Sequence, residues 1–299
     1  MRYVVGYTDT DEGRDALALA VRLARTTGAR LDLVLVLESA ERATLVPADP
    51  GYERYLRETT EGWLATGLAH VPAGIEATTH VVYAESPADG LLEAVETLRA
   101  ELIVIGTSPT GLLGRFTLGS DANALLHSAP VPVALAPGGC AAAGGAPISR
   151  VTCAIGTRPG ADELLAAAIG ATRRGDVPLR LVSLVALDQP GGAPASATGT
   201  AHPDAATRAE AHAAAVLEEA VAHLPATITV TSQVATGRRI EDAVAALDWW
   251  PDEIALVGSS RLAQPKRLFL GSTAAKMLRE LPVPLMVVPR DAEFTLGDL

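Results

Sequence analysis

Residues 119–137 read GSDANALLHSAPVPVALAP, and residues 271–289 read GSTAAKMLRELPVPLMVVP. Gly-Ser, a short helical run, Pro-Val-Pro, an aliphatic run and a closing proline recur with a displacement of 152 residues (271 less 119). Self-similarity at a fixed spacing is the first sign of a repeated architecture. The beginnings of the halves also correspond: Arg2 to Ala20 (RYVVGYTDTDEGRDALALA) aligns with Arg150 to Ala168 (RVTCAIGTRPGADELLAAA) at a displacement of 148. The second copy therefore has a slightly longer middle. Pro137 to Ser149 (PGGCAAAGGAPIS) is rich in Gly, Ala and Pro and reads as the joint. The expected division is a first domain over 1–137, a linker over 138–149, a second domain over 150–290 and a tail over 291–299.

Within the first copy, short aliphatic runs alternate with runs of helical spacing. Strands are predicted at 3–7, 31–37, 75–82, 102–105 and 131–135, and helices at 11–27, 52–70, 87–99 and 120–127. Leu31 to Leu37 is nearly continuous aliphatic sequence, as a strand buried on both faces requires. Gly28 stops the first helix, and Pro87 sits in the first turn of another. The second copy repeats the order, with strands at 151–155, 179–187, 227–235, 254–257 and 284–288 and helices at 161–174, 204–223, 240–247 and 272–280. Residues 188–203 (DQPGGAPASATGTAHP) read as a disordered loop. Alternation of this kind implies α/β architecture: two tandem, doubly wound parallel sheets of five strands each, with right-handed crossovers. Ligands in such sheets lie beyond the carboxyl ends of the strands, so the ends of the first and fourth strands are the places to search.

Composition narrows the function classes. The chain has 299 residues, 48% of them hydrophobic, and a net charge of −11. An acidic chain without a basic run and interleaved aromatics is not expected to bind nucleic acid or anionic membrane. No apolar stretch reaches the ~18 residues of a membrane span. Met1 to Gly6 enters a strand directly, without a leader pattern, so the expected location is the cytoplasm. Cys140 and Cys153 form no CxxC pair and are expected to be unpaired, with Cys153 buried.

The loops after the fourth strands carry the chemistry. The first copy reads Gly106-Thr107-Ser108-Pro109, then continues to Gly119-Ser120; the second reads Gly258-Ser259-Ser260-Arg261, then continues to Gly271-Ser272-Thr273. Glycine at a strand end lets backbone approach a ligand. A Gly-Ser that opens a helix offers free N–H groups and a positive dipole end to an anion such as phosphate. For one loop alone the plain alternative, that glycine ends the strand and serine caps the helix, is the stronger reading; recurrence at matched positions adds weight to the anion. No GxxxxGK[ST] loop, SGGxD-like loop or GxSxG elbow is present, and the six histidines lack metal-ligand spacing. Trp249-Trp250 precede Pro251 and are expected to pack against the sheet rather than stack on a base. Arg173-Arg174 suit a helix C-terminus.

These loops, with the Pro-Val-Pro strand, resemble the universal stress protein family in tandem form, over nearly the whole chain. The family's nucleotide-binding members show Gly, two residues, Gly, nine residues, then Gly-Ser/Thr. Gly106 with Gly119-Ser120 and Gly258 with Gly271-Ser272 keep the outer spacing; Pro109 and Arg261 replace the middle glycine. Pro109 has no N–H to offer, whereas Arg261 keeps its own and adds a cation able to pair with phosphate or fill the pocket. The resemblance implies domains of the adenine nucleotide alpha hydrolase-like, Rossmann-like kind. It also implies an adenine nucleotide, ATP with accompanying Mg²⁺, held near Thr8, Asp9, Gly106, Thr107, Gly119 and Ser120 in one copy. In the other the corresponding residues are Gly156, Gly258, Ser259, Arg261, Gly271, Ser272 and Thr273. The family's ribose-side Asp aligns with Thr8 and Gly156; Asp9 is one residue later. Asp121 after Gly-Ser would repel phosphate, whereas Thr273 is compatible with it and Lys266 and Arg267 add positive charge. The resemblance thus implies a stress-response regulatory module without catalysis. A structural or interaction protein with degenerate loops is the competing reading, its last strands pairing across the copies or between chains. A slow ATPase ranks last, because no base or nucleophile stands near either loop.

Overall fold

The computed structural model describes residues 1–38, 50–107, 119–156, 161–188, 203–259 and 268–289. The first copy runs β1 (Arg2–Gly6), α1 (Asp11–Thr27), β2 (Arg30–Glu38), α2 (Pro50–Ala69), β3 (Ala77–Ala84), α3 (Pro87–Leu98), β4 (Leu102–Gly106), α4 (Ser120–Ser128) and β5 (Val133–Ala136). The second runs β6 (Arg150–Ala154), α5 (Ala161–Gly175), β7 (Leu179–Ala186), α6 (Pro203–Ala222), β8 (Val230–Gly237), α7 (Ile240–Ala245), β9 (Glu253–Gly258), α8 (Ser272–Glu280) and β10 (Leu285–Val288).

Local chemistry sets the boundaries. Thr10 caps α1 by accepting the Gly13 N–H at 3.3 Å, and Gly28, left-handed at φ 72°, closes it with its N–H on the Ala24 carbonyl. Ser86 caps α3 in the same way, with Pro87 in the first turn. β3 and β8 start later than the sequence suggests, at Ala77 and Val230 rather than 75 and 227. In each case a turn comes first: the Ile75 N–H donates to the Pro72 carbonyl, and the Ile228 N–H to that of Pro225. The apolar side chain is drawn into the core there before the ladder begins.

The ten strands form one sheet in the order β3-β2-β1-β4-β5-β10-β9-β6-β7-β8. Each half is parallel and doubly wound, as expected. The seam between halves is antiparallel, with Leu285, Met286 and Val287 opposite Leu135, Ala134 and Val133. The last strands thus pair across the copies. Pro132 and Pro284, which have no N–H, stand just ahead of this ladder, and pairing is confined to the residues after them. Side chains of β1, β2 and β4 alternate between two aliphatic layers, one beneath α1 and α5 and one beneath α3, α4 and α8. The joint between the copies is fastened along α1. Asp15 accepts the N–H groups of Gly139 (2.8 Å) and Ala141 (2.7 Å), Arg22 donates to the carbonyls of Ala146 and Pro251, and Thr26 accepts from Ile148. Cys140 is buried in this joint, and both cysteines are free; burial pushes the Cys153 thiol up to about 12.

Two buried polar knots lie toward the amino ends of the strands. In the first copy Asp32, fully buried on β2, accepts from Arg2 (2.7 and 2.8 Å), Thr78 (2.6 Å) and His80 (3.0 Å). Burial alone would push this carboxyl up, but the Arg2, Thr78 and His80 hydrogen bonds outweigh it and bring the carboxyl down to about 2. An acid whose folded value lies below its unfolded one stabilises fully above the unfolded value, and the contribution disappears as pH falls through the folded one. We expect about 2 kcal/mol of stability to be lost between roughly pH 4 and pH 2. Urea unfolding across that range checks this, with Asp32→Asn as the variant whose stability should lose most of that slope.

In the second copy Glu253 on β9, also fully buried, receives Arg150 (2.5 Å), Arg180 (2.9 Å), the Thr152 hydroxyl and the Trp250 N–H (3.1 Å). The Arg150 and Arg180 guanidiniums lie over the rings of Trp250 and Trp249, at 3.8 and 4.8 Å from the centroids. Burial pulls the Arg180 guanidinium below its usual value, against the opposing pull of Glu253. The tryptophan pair therefore packs on arginine, at the end of the sheet away from the loops.

Candidate functional site

The parallel halves turn the carboxyl ends of β1 and β4, and of β6 and β9, toward the N-termini of α4 and α8. Gly119 caps α4 at φ −67°, ψ 173°, and Gly271 caps α8 at φ −72°, ψ 158°; neither helix has a side-chain cap. These are ordinary dihedrals, so no backbone strain calls for glycine. A Cβ at Gly119 would meet nothing within 4 Å. Glycine there instead leaves the first N–H groups of the helix uncovered, as anion binding needs. Ser120, Ser272 and Thr273 are exposed beside those N–H groups.

The two copies then diverge. A Cβ on Gly106 would overlap the Glu12 carbonyl, so the first turn of α1 lies directly on the end of β4. That glycine is demanded by packing. Its counterpart Gly258 is different: a Cβ there would only touch Leu164, at 3.7 and 3.8 Å, an ordinary contact. Gly156 at the end of β6 has open space as well. Electrostatics point the same way. The first turn of α4 carries Asp121, whereas that of α8 carries no acid. The second copy keeps the more open and less anionic helix start.

Several sequence-predicted residues already have partners inside the chain. The Thr107 hydroxyl, buried, donates to the Ala136 carbonyl at 2.8 Å and so ties β4 to the end of β5. Asp9 is held by Arg14 at 2.5 Å, and the exposed Thr8 hydroxyl lies 3.1 Å from that of Thr10. Ser259 clasps Phe269, accepting its N–H at 2.7 Å and lying 3.2 Å from its carbonyl. Gly119, Ser120, Gly271, Ser272 and Thr273 remain at the helix starts as expected. Pro109, Arg261, Lys266 and Arg267 lie outside the described residues. Phe269 was not legible as a site residue; its only signal is its place two residues before Gly271.

Among the described residues, no group of three or more His, Cys, Asp or Glu is arranged to hold a metal. Thr78, His80 and Asp32 are adjacent, but Thr78 and Asp32 both contact His80 through Nε2, so the imidazole cannot relay a proton between them. A cleft of about 360 Å³ beside Arg173, Asp176 and Thr227 and a smaller cavity between α1 and α5 both lie at the amino ends of the strands, away from the loops. No helix among the described residues is long and apolar enough to cross a membrane.

Comparison with known proteins agrees with this architecture. The sequence pattern of the Universal stress protein family matches residues 1–137 and again residues 147–289. A universal stress protein of Mycobacterium tuberculosis is 30% identical over 295 residues, covering 97% of this chain and all of the relative. A universal stress protein of Thermus aquaticus is 30% identical over 135 residues, 44% of this chain and 95% of its own length. Among solved structures, a universal stress protein from Archaeoglobus fulgidus superposes with a TM-score of 0.67 at 19% identity, covering 96% of this chain and 98% of its own. A putative universal stress protein from Pseudomonas aeruginosa gives 0.58 at 17%, covering 97% and 93%.

Proposed function

The chain belongs to the universal stress protein family, and on that footing we propose that it is a stress-response regulatory module that binds ATP without turning it over. The observation that carries this reading is the phosphate end of the second copy. Gly258 is free of packing demand, and α8 opens on an uncapped Gly271 without an acid in its first turn. Backbone N–H groups of Gly271, Ser272 and Thr273 would receive the phosphates, with the Ser272 and Thr273 hydroxyls beside them and Mg²⁺ accompanying the nucleotide. Gly156 would leave room on the β6 side.

The first copy supports a different role. Gly106 is filled by packing, Thr107 and Asp9 are engaged, and Asp121 stands in the first turn of α4. These features favour a structural and self-association role for that copy, through the β5–β10 seam, with Gly119-Ser120 as a weaker anion seat.

Denaturing the purified protein and chromatographing what is released, followed by calorimetric titration with ATP and Mg²⁺, tests the proposal. Released ATP or micromolar binding, about −8 kcal/mol, is the expected result. No nucleotide, no heat and no thermal shift would leave the interaction-protein reading standing. Phosphate release over hours, compared with Gly271→Asp, separates binding from turnover; we expect the two rates to be equal.

A further inference from the structure

The arm that leads into the proposed ATP seat is not supported by its own copy alone. The Leu268 N–H donates to the Ala129 carbonyl at 3.0 Å, and the Leu270 N–H to the Leu126 carbonyl at 3.1 Å. Both acceptors stand at the C-terminal end of α4, where a helix has carbonyls without intrahelical donors. Between these two bonds, the Phe269 ring meets His127 of α4 edge-on, with centroids 4.7 Å apart at 81°. Leu268 is buried in the layer that also holds Leu125, Leu126 and Ala129. On its other side Phe269 is gripped through its backbone by Ser259, whose own N–H donates to the Val288 carbonyl at 2.8 Å. The arm is therefore clamped between the end of β9 and a helix of the other copy.

The clamp has no mirror image in sequence. At the positions equivalent to Phe269 and His127 the chain has Thr117 and Arg279, which cannot form a ring pair. Arg279 instead faces Glu241 at 3.6 Å.

We propose that the ATP seat of the second copy is composite: α4 of the first copy, through His127 and the Leu126 and Ala129 carbonyls, positions the arm that places Gly271, and the second copy binds ATP fully only with this support. The inference rests on the ATP reading above. His127 and Phe269 are positioning residues, since neither need touch nucleotide. α4 carries Gly119-Ser120 at its other end, so the same nine-residue helix joins the first copy's anion seat to the second copy's arm.

The test uses the full chain in a Gly119→Asp background, so that only the second seat is read, with ATP and Mg²⁺ titrated by calorimetry. We expect His127→Ala and Phe269→Ala each to weaken ATP about three- to ten-fold, the double variant to lose no more than the worse single, and His127→Phe to restore the parental value. His127 is exposed, so its replacement leaves the core intact, and a thermal melt confirms folding. ATP affinity unchanged by His127→Ala, or not restored by His127→Phe, overturns the composite seat while leaving ATP binding in place. No ATP binding by the parent overturns both.

Discussion

Gly271→Asp should abolish ATP binding while leaving the protein at least as stable. Gly271 caps α8 with dihedrals any residue adopts, and Asp is among the preferred N-cap residues. The substituted carboxylate would accept the helix's free N–H groups and occupy the place proposed for phosphate. Like charges about 4 Å apart near a protein surface repel by about 4 kcal/mol, so affinity should fall by more than about 100-fold. Calorimetry measures the loss, and the melting temperature shows that α8 is still formed. Gly119→Asp is the matched control: its helix already carries Asp121, so it should change total ATP binding far less. Equal affinity in wild type and Gly271→Asp would remove the assignment of the seat.

Glu253→Ala should be the most damaging single change to stability, by about 3–5 kcal/mol. Glu253 is fully buried and is the shared acceptor for Arg150, Arg180, Thr152 and the Trp250 N–H. Its removal leaves two buried guanidiniums without a counter-charge, with the Asp248 carbonyl shared between them and the Thr152 hydroxyl on Arg180 as neutral acceptors. Equilibrium urea unfolding gives the figure. A loss below about 1 kcal/mol would mean that water reaches the arginines and does the carboxylate's work.

The architecture was legible because its punctuation is local. Gly28, Pro87, Gly119, Gly271 and the Pro-Val-Pro runs each act on neighbours within a few residues, and the helices they bound fall within a residue or two of expectation. Of the candidate site, what was legible is also local: the Gly-Ser helix starts stand where the spacing puts them. Thr107 and Ser259 look like ligand hydroxyls in sequence, yet they answer to Ala136 and Phe269, which only the fold brings near. Gly106 and Gly258 are the same letter at matched positions with different causes, one forced by the Glu12 carbonyl and one not. That difference depends on how closely a helix approaches a strand, and no single-residue pattern encodes it.

The antiparallel seam has a consequence for how this molecule behaves when scarce. A pair of separate subunits joined by so short a ladder, three residues on each strand, would fall apart as their concentration drops. Here both strands are on one chain, so joining them is an intramolecular event with an effective concentration set by the intervening residues rather than by expression level. Dilution cannot separate the halves. A single copy of the chain already carries both strands of this seam, at the lowest abundance a cell can hold.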